Sequence, residues 1–348
     1  MLVFYIQLLL VYIFSLYARL SSSRNKILSN FFLVTVILVL FLVSGFRAAG
    51  IGDTQMYTYL YKLIGPSYSG EGYEPGFIIF LKGLKLISQN PQFMLLITSF
   101  IINVFNIWIL MDYPGYFELN TFMYIASGYY LVTMNGLRQS IAAAVLFAST
   151  NLIIKGRFKA YLTIVLIMCS FHISALILIP VYFLVRKEAW SPKVYLFIFI
   201  FLIGLMIYGP IMNVIFNILG NSKFGEYKNF KEGGTNIVRV AVYFVPMALA
   251  YIKRKQLKEF WPDSNVFVNM SLLNLIVMCF ALNNWIFARF SIYFQMYSFV
   301  LLAAIIEGCM QKRERNFTYI CLLAAYLAFF LYEQSIALNI VYEANLPI

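Results

Sequence analysis

The chain has 348 residues, 62% of them apolar and 11% charged, with a net charge of +12. Soluble domains average about 45–50% apolar and about 25% charged residues, so these proportions exclude a water-soluble globular fold. They point to an all-α polytopic membrane protein, because backbone groups in lipid must be satisfied within helices, and no strand-like alternation of a barrel is seen. Most of the positive charge falls in short clusters between apolar runs and needs no nucleic-acid partner: Arg19, Arg24 and Lys26; Lys155, Arg157 and Lys159; Arg186 and Lys187; Lys253, Arg254, Lys255 and Lys258; Lys312, Arg313 and Arg315. That is the positive-inside pattern of cytoplasmic loops.

The first apolar run, about 2–18, lacks a basic leader and a small-residue cleavage site, so it reads as a span and not a signal peptide. Further runs follow at about 28–46, 92–110, 119–134, 137–154, 160–186, 194–218, 237–252, 266–284, 290–308 and 317–334. With the basic clusters inside, external loops fall at about 47–91 and 219–236. Within the first loop, about 75–89 is too short and too cationic to span easily (Lys82, Lys85), and is expected to be a re-entrant or interfacial helix. The 160–186 run has basic residues at both ends. It is expected to be a hairpin turning near Ser170-Phe171-His172, the alternative being one long span that puts Arg186 outside. This layout gives about 12 crossings, both termini external, in a single transmembrane domain of residues 1–348. Cys169, Cys279, Cys309 and Cys321 are scattered, with no CxxC to suggest a disulfide framework or a metal site.

Four arginines, Arg47, Arg138, Arg239 and Arg289, fall at external ends of apolar runs. An arginine near hydrocarbon costs roughly 3 kcal/mol, and cations gathered there usually hold an anion. Arg47 and Asp53 flank a turn with Gly50 and Gly52; they could bind phosphate and move a proton, or simply form an interfacial pair that ends a helix. Arg138 opens an alanine-rich span; it could face a polar site inside the protein, which the neighbouring Asn135 and Gln139 favour, or simply snorkel. His172, the only histidine, could be a base, a phosphate donor or a hydrogen-bonded structural residue. Arg289 precedes Tyr293 by four residues, which on an α-helix shares one face; Trp285 and Tyr293 also suit an aromatic belt. Arg239 reads as a site cation or a membrane anchor, and Glu74 as a carboxylate or a turn residue. Together with Asp53 and His172, the arginines outline a reaction site for a lipid-linked phosphate. The three aspartates, Asp53, Asp112 and Asp263, form no DxD, no Walker A sequence occurs, and one histidine excludes a polyhistidine metal site.

In order, Arg47-x5-Asp53-x3-Tyr57, Glu74-Pro-Gly-Phe, Asn135-Gly-Leu-Arg138-Gln139-Ser-Ile-Ala, Phe171-His172-Ile-Ser-Ala-Leu and Arg289-x3-Tyr293 resemble the EpsG-like branch of the Wzy-type polysaccharide polymerases. The resemblance covers about 47–293. It implies a bacterial cytoplasmic-membrane glycosyltransferase of O-antigen, capsule or exopolysaccharide synthesis, with its active site facing the periplasm or exterior. The growing glycan, held on undecaprenyl pyrophosphate, would pass to a hydroxyl of a second lipid-linked repeat unit, with no cofactor or metal. A chain-length regulator and a flippase are the implied partners. It also implies that Arg47, Asp53, Arg138, His172 and Arg289 serve catalysis, with Tyr57, Glu74, Asn135, Gln139 and Tyr293 as substrate-binding candidates; it says little about Arg239, which stays a secondary substrate-binding candidate by its position alone. Arg138 and Arg289 are assigned to the donor pyrophosphate, Arg47 to either carrier, and the base to Asp53 or, preferably, His172. A lipid-linked oligosaccharide flippase or other transporter, a related ligase, and an acyltransferase using His172 are the competing readings.

Overall fold

The computed structural model describes residues 1–65, 68, 70–207 and 234–345; the expected external loop 219–236 therefore lies outside the described residues except at 234–236. Among the described residues the fold is helical, with a single isolated β-bridge between Arg47 and Ala344.

Helices α1 (Leu2–Ser22) and α2 (Lys26–Gly45) pack as a pair. Asn25 starts α2, its side chain accepting the Leu28 amide at 3.1 Å and satisfying a first-turn donor. Next come α3 (Thr54–Leu63), α4 (Pro75–Ile87) and α5 (Pro91–Leu110). Pro75 and Pro91 sit in first turns, where the missing N–H has no intrahelical partner to lose. The apolar face of α4, with Phe77, Ile78, Leu81 and Leu84, is buried, while Ile79, Leu86 and Ile87 are exposed.

The run expected at 119–134 is two helices, α6 (Phe117–Ala126) and α7 (Tyr129–Asn135), broken at Gly128, whose φ of 81° suits glycine. The 137–154 run is α8 (Leu137–Ala148) and α9 (Thr150–Ile154), broken at Ser149, whose hydroxyl donates to the Val145 carbonyl at 2.8 Å. Helix α10 (Phe158–Cys169) turns into a 3₁₀ segment, Ile173–Ile177, and α11 (Leu178–Val185). These arms lie antiparallel, the Phe158 and Phe183 rings meeting at 4.9 Å and Tyr161 and Tyr182 at 5.5 Å. The 160–186 segment is thus a hairpin and not one long span. Then follow α12 (Pro192–Met206), α13 (Ile237–Ile252), α14 (Arg254–Phe260), α15 (Ser264–Ala281), a 3₁₀ helix (Trp285–Tyr293), α16 (Gln295–Gly308) and α17 (Lys312–Phe330), which ends in a π-helical turn, Leu331–Ala337.

Among the described residues, five helices are long and apolar enough to cross a membrane: Leu2–Ser22, Lys26–Gly45, Pro91–Leu110, Ser264–Ala281 and Lys312–Ala337. The 3₁₀ helix and α16, bent by 59°, make a sixth if taken as one broken span. Helices α8, α10, α12, α13 and the Ile173–Val185 arm are apolar but shorter. The 12 residues of α10 reach about 18 Å, against about 30 Å of hydrocarbon. So the described residues do not present about 12 full-length crossings. Hydropathy alone registered the apolar runs but not the breaks at Gly128, Ser149 and the 3₁₀–α16 bend.

Helix α16 is buried on every side from Gln295 to Ile306 and forms the centre of the molecule. The outer helices α1, α2 and α12 expose residues such as Leu9, Phe31 and Phe199, as lipid-facing helices do. At one end, ion pairs tie the basic turns together: Arg19 with Glu118 (2.7 Å), Lys253 with Glu314 (2.6 Å), and Lys258 with Glu188. The motif residues gather at the other end.

Candidate active site

Glu74 stands at the N-cap of α4 but leaves its own helix uncapped. Its carboxylate instead pairs with the Arg138 guanidinium at the start of α8 and accepts the Ile173 amide at 3.2 Å. This joins three elements that are far apart in sequence. Arg138 also stacks over the Tyr73 ring, 4.8 Å from its centroid, and lies beside the buried Tyr57. Its Nε is buried with no hydrogen-bond partner among the described residues. Gly76 lets α4 meet the hairpin tip: the Phe77 amide donates to the Ser170 carbonyl at 3.1 Å, and a Cβ on Gly76 would overlap Ser170.

His172 caps the 3₁₀ segment at the hairpin tip. Its Nδ1 accepts the Ser174 amide at 3.3 Å and lies 2.6 Å from the Ser174 hydroxyl. That hydroxyl in turn contacts the Tyr293 phenol at 2.8 Å and the Gln139 side-chain amide at 3.3 Å. Gln139 Nε2 also donates to the Arg289 carbonyl at 3.0 Å. Arg289 is exposed and lies over Trp285, 4.5 Å from the ring centroid, with no ion-pair partner among the described residues. Glu74, Arg138, Gln139, His172, Arg289 and Tyr293 are therefore one cluster built from α4, α8, the hairpin tip and the 3₁₀ helix.

Burial pulls His172 down to about 4; Glu74 opposes this, while Arg138 and Arg289 add to it. The imidazole is accordingly neutral at physiological pH. Glu74, Arg138 and Arg289 all lie close enough to act on the imidazole, and the one carboxylate balances only part of the positive charge.

Other expected residues take different positions. Arg47 is 1% exposed, and no Arg47–Asp53 pair forms. Its guanidinium donates to the Thr54 hydroxyl (2.9 Å), the Ser99 hydroxyl (3.3 Å), the Met134 carbonyl (3.3 Å) and the Ser44 carbonyl. Burial lowers it to about 10, which still leaves it a cation. Asp53 is exposed at the start of α3, its amide donating to Asn135 Oδ1 at 2.9 Å, and it lines an open depression of about 570 Å³ with Gln55, Tyr59 and Lys62. Asn135 thereby ties the Asp53 turn to the end of α7, three residues before Arg138. Arg239 is outside the cluster, paired with the buried Glu333 on the π-helical turn. Arg289 and Tyr293 do not share a face, because the segment is 3₁₀, where a four-residue step turns the side chain by about 120°. Tyr293 points into the protein and Arg289 outward.

From sequence alone Ser174, Tyr73 and Gly76 had no assigned role, and Trp285 only that of an aromatic-belt residue. Ser174 sits two residues after His172, the spacing at which a capping side chain meets a main-chain amide. The Tyr73–Arg138 and Gly76–Ser170 contacts bridge distant segments and leave no local pattern, whereas Trp285 lies only four residues from Arg289.

No curated protein and no solved structure matches the chain significantly. The sequence pattern of the EpsG family matches residues 30–344, which include every residue of the cluster. By that match the chain belongs to the EpsG family, an exopolysaccharide- and O-antigen-polymerase-like family of membrane proteins.

Proposed function

We propose that the protein is a polysaccharide polymerase of the bacterial cytoplasmic membrane, acting at its outer face on undecaprenyl-pyrophosphate-linked glycans. The acceptor hydroxyl oxygen bonds to the anomeric carbon of the donor. The sugar–phosphate C–O bond breaks, its electron pair leaves on the lipid pyrophosphate, and the hydroxyl proton passes to a side-chain base. Charge grows on the departing pyrophosphate, and guanidinium groups are suited to meet it. Arg289, presented by its stack on Trp285 and free of a carboxylate partner among the described residues, is the leading clamp. Arg138, held by Glu74, is the second. In this reading Arg47 positions the turn without touching substrate, and Arg239 anchors the chain end.

The observation that carries the reading is the meeting of α4, α8, the hairpin tip and the 3₁₀ helix around two guanidiniums and His172, in a family of this kind. The basic turns at the opposite end support an outward-facing site through the positive-inside rule. The test is purified protein in liposomes with a lipid-pyrophosphate-linked repeat unit. Longer glycans, with one lipid pyrophosphate released per linkage, are expected. Transfer of intact lipid-linked repeat across the bilayer without elongation would instead establish a transporter.

A further inference from the structure

We propose that His172 acts as a neutral hydrogen-bond donor through Nε2, locked in that tautomer by Ser174, and that it grips a pyrophosphate oxygen and does not serve as the base. This inference rests on the polymerase reading.

One donor in the network cannot reverse. A main-chain N–H only donates, and that of Ser174 points at His172 Nδ1 at 3.3 Å. Nδ1 must therefore present its lone pair, so a neutral ring carries its proton on Nε2. The Ser174 hydroxyl, 2.6 Å from the same nitrogen, must then donate to it. The two acceptor places on that hydroxyl are filled by the Tyr293 O–H at 2.8 Å and a Gln139 N–H at 3.3 Å. Gln139 has its own orientation fixed by the Arg289 carbonyl at 3.0 Å. The Ser174 amide and hydroxyl share the one Nδ1 lone pair, the hydroxyl being the closer, and the directions of the network agree.

Nε2 is left without a hydrogen-bond partner among the described residues. The charged and titratable groups facing the ring are Glu74 from α4, Arg138 from α8, and Arg289 and Tyr293 from the 3₁₀ helix. An anion held between the two guanidiniums meets an N–H, not a lone pair. For Nε2 to take a proton directly, the ring would first have to move its own proton to Nδ1. It would then lose its contact with the Ser174 amide. A neutral imidazole N–H can stabilise developing negative charge without transferring a proton. The acceptor's hydroxyl proton then goes to a carboxylate. Asp53 is the candidate, exposed and without an ion pair among the described residues.

The chain has one histidine, so nitrogen-15-labelled histidine gives a single ring to read. In the full-length protein in lipid nanodiscs, the ring nitrogens should report the Nε2–H tautomer from about pH 8 to about pH 5. Ser174→Ala should mix the tautomers. An Nδ1–H ring in the wild type would overturn the proposal. As a second readout, His172→Gln keeps an N–H donor but cannot act as a base, so it should polymerise about tenfold faster than His172→Ala. Asp53→Asn should lower turnover by about a hundredfold or more while leaving lipid binding in place. A His172→Gln protein as inactive as His172→Ala, with Asp53→Asn still active, would overturn the proposal. The tautomer readout needs no polymerisation, so failure of the polymerase reading in liposomes is distinguishable from failure of this one.

Discussion

The hydroxyls of Ser174 and Tyr293 meet at 2.8 Å, and this contact joins the hairpin tip that carries His172 to the 3₁₀ helix that carries Arg289. Tyr293 is buried, so its phenol has no water to fall back on. Tyr293→Phe removes the donor and leaves the ring volume. Stability should fall by about 1 kcal/mol, and polymerisation by about tenfold, as the tip loses its fixed distance from Arg289. Thermal unfolding in detergent and glycan length measure the two effects. A wild-type ladder from Tyr293→Phe would show that the contact does not position the site.

Arg47 is expected to act on the fold. Its guanidinium ties the end of α2, the start of α3, α5 and the end of α7. Arg47→Met leaves buried carbonyls and hydroxyls without a donor, and should cost about 2–4 kcal/mol. Lower thermal stability and lower yield in membranes should accompany any loss of activity. A fully stable but inactive Arg47→Met protein would place Arg47 at the chemistry instead.

The histidine supplies a pH dependence of stability. Burial is the main reason it lies at about 4 when folded, against 6.5 ordinarily. Between those values the unfolded chain binds the additional proton. The stabilisation is therefore full above about pH 6.5 and is lost as pH falls towards 4, on the order of 3 kcal/mol in all. Unfolding temperature should drop more steeply on acidification in the wild type than in His172→Gln. Parallel curves would mean that the imidazole titrates normally.

Gly76→Ala introduces a Cβ where α4 touches Ser170. The added atom should push the N-terminus of α4 off the hairpin tip and pull Glu74 away from the Ile173 amide. Loss of polymerisation by about tenfold or more is expected, with the protein still inserted. A proteolysis pattern matching the wild type together with full activity would refute the close approach.

The helical class, the hairpin at 160–186 and the identities of Arg138, His172 and Arg289 were legible from hydropathy, charge placement and motif residues. Those signals are local, or are carried by residue types costly to place near lipid. The partners were not legible. Arg138 finds Glu74 across 64 residues, and Arg239 finds Glu333 across 94, and neither pairing leaves a periodic trace. The partners of Arg47 were not legible either, because an arginine that holds buried carbonyls and hydroxyls has the same local sequence as one that faces an anion. The Arg289–Tyr293 spacing misled for a different reason: it assumed α-helical geometry in a segment that winds as a 3₁₀ helix.

On the proposed function, guanidiniums at this cluster serve chain extension. Arg289 is the cleaner probe, since it is exposed and its loss breaks no ion pair among the described residues. The most direct measurement is the surface-glycan ladder of cells lacking the gene, complemented with wild type or Arg289→Ala at equal membrane levels. A ladder is expected from the wild type and only single-repeat product from the variant, with lipid-linked repeat still exported. A normal ladder from Arg289→Ala, or lipid-linked repeat trapped on the cytoplasmic side in the deletion strain, would contradict that function.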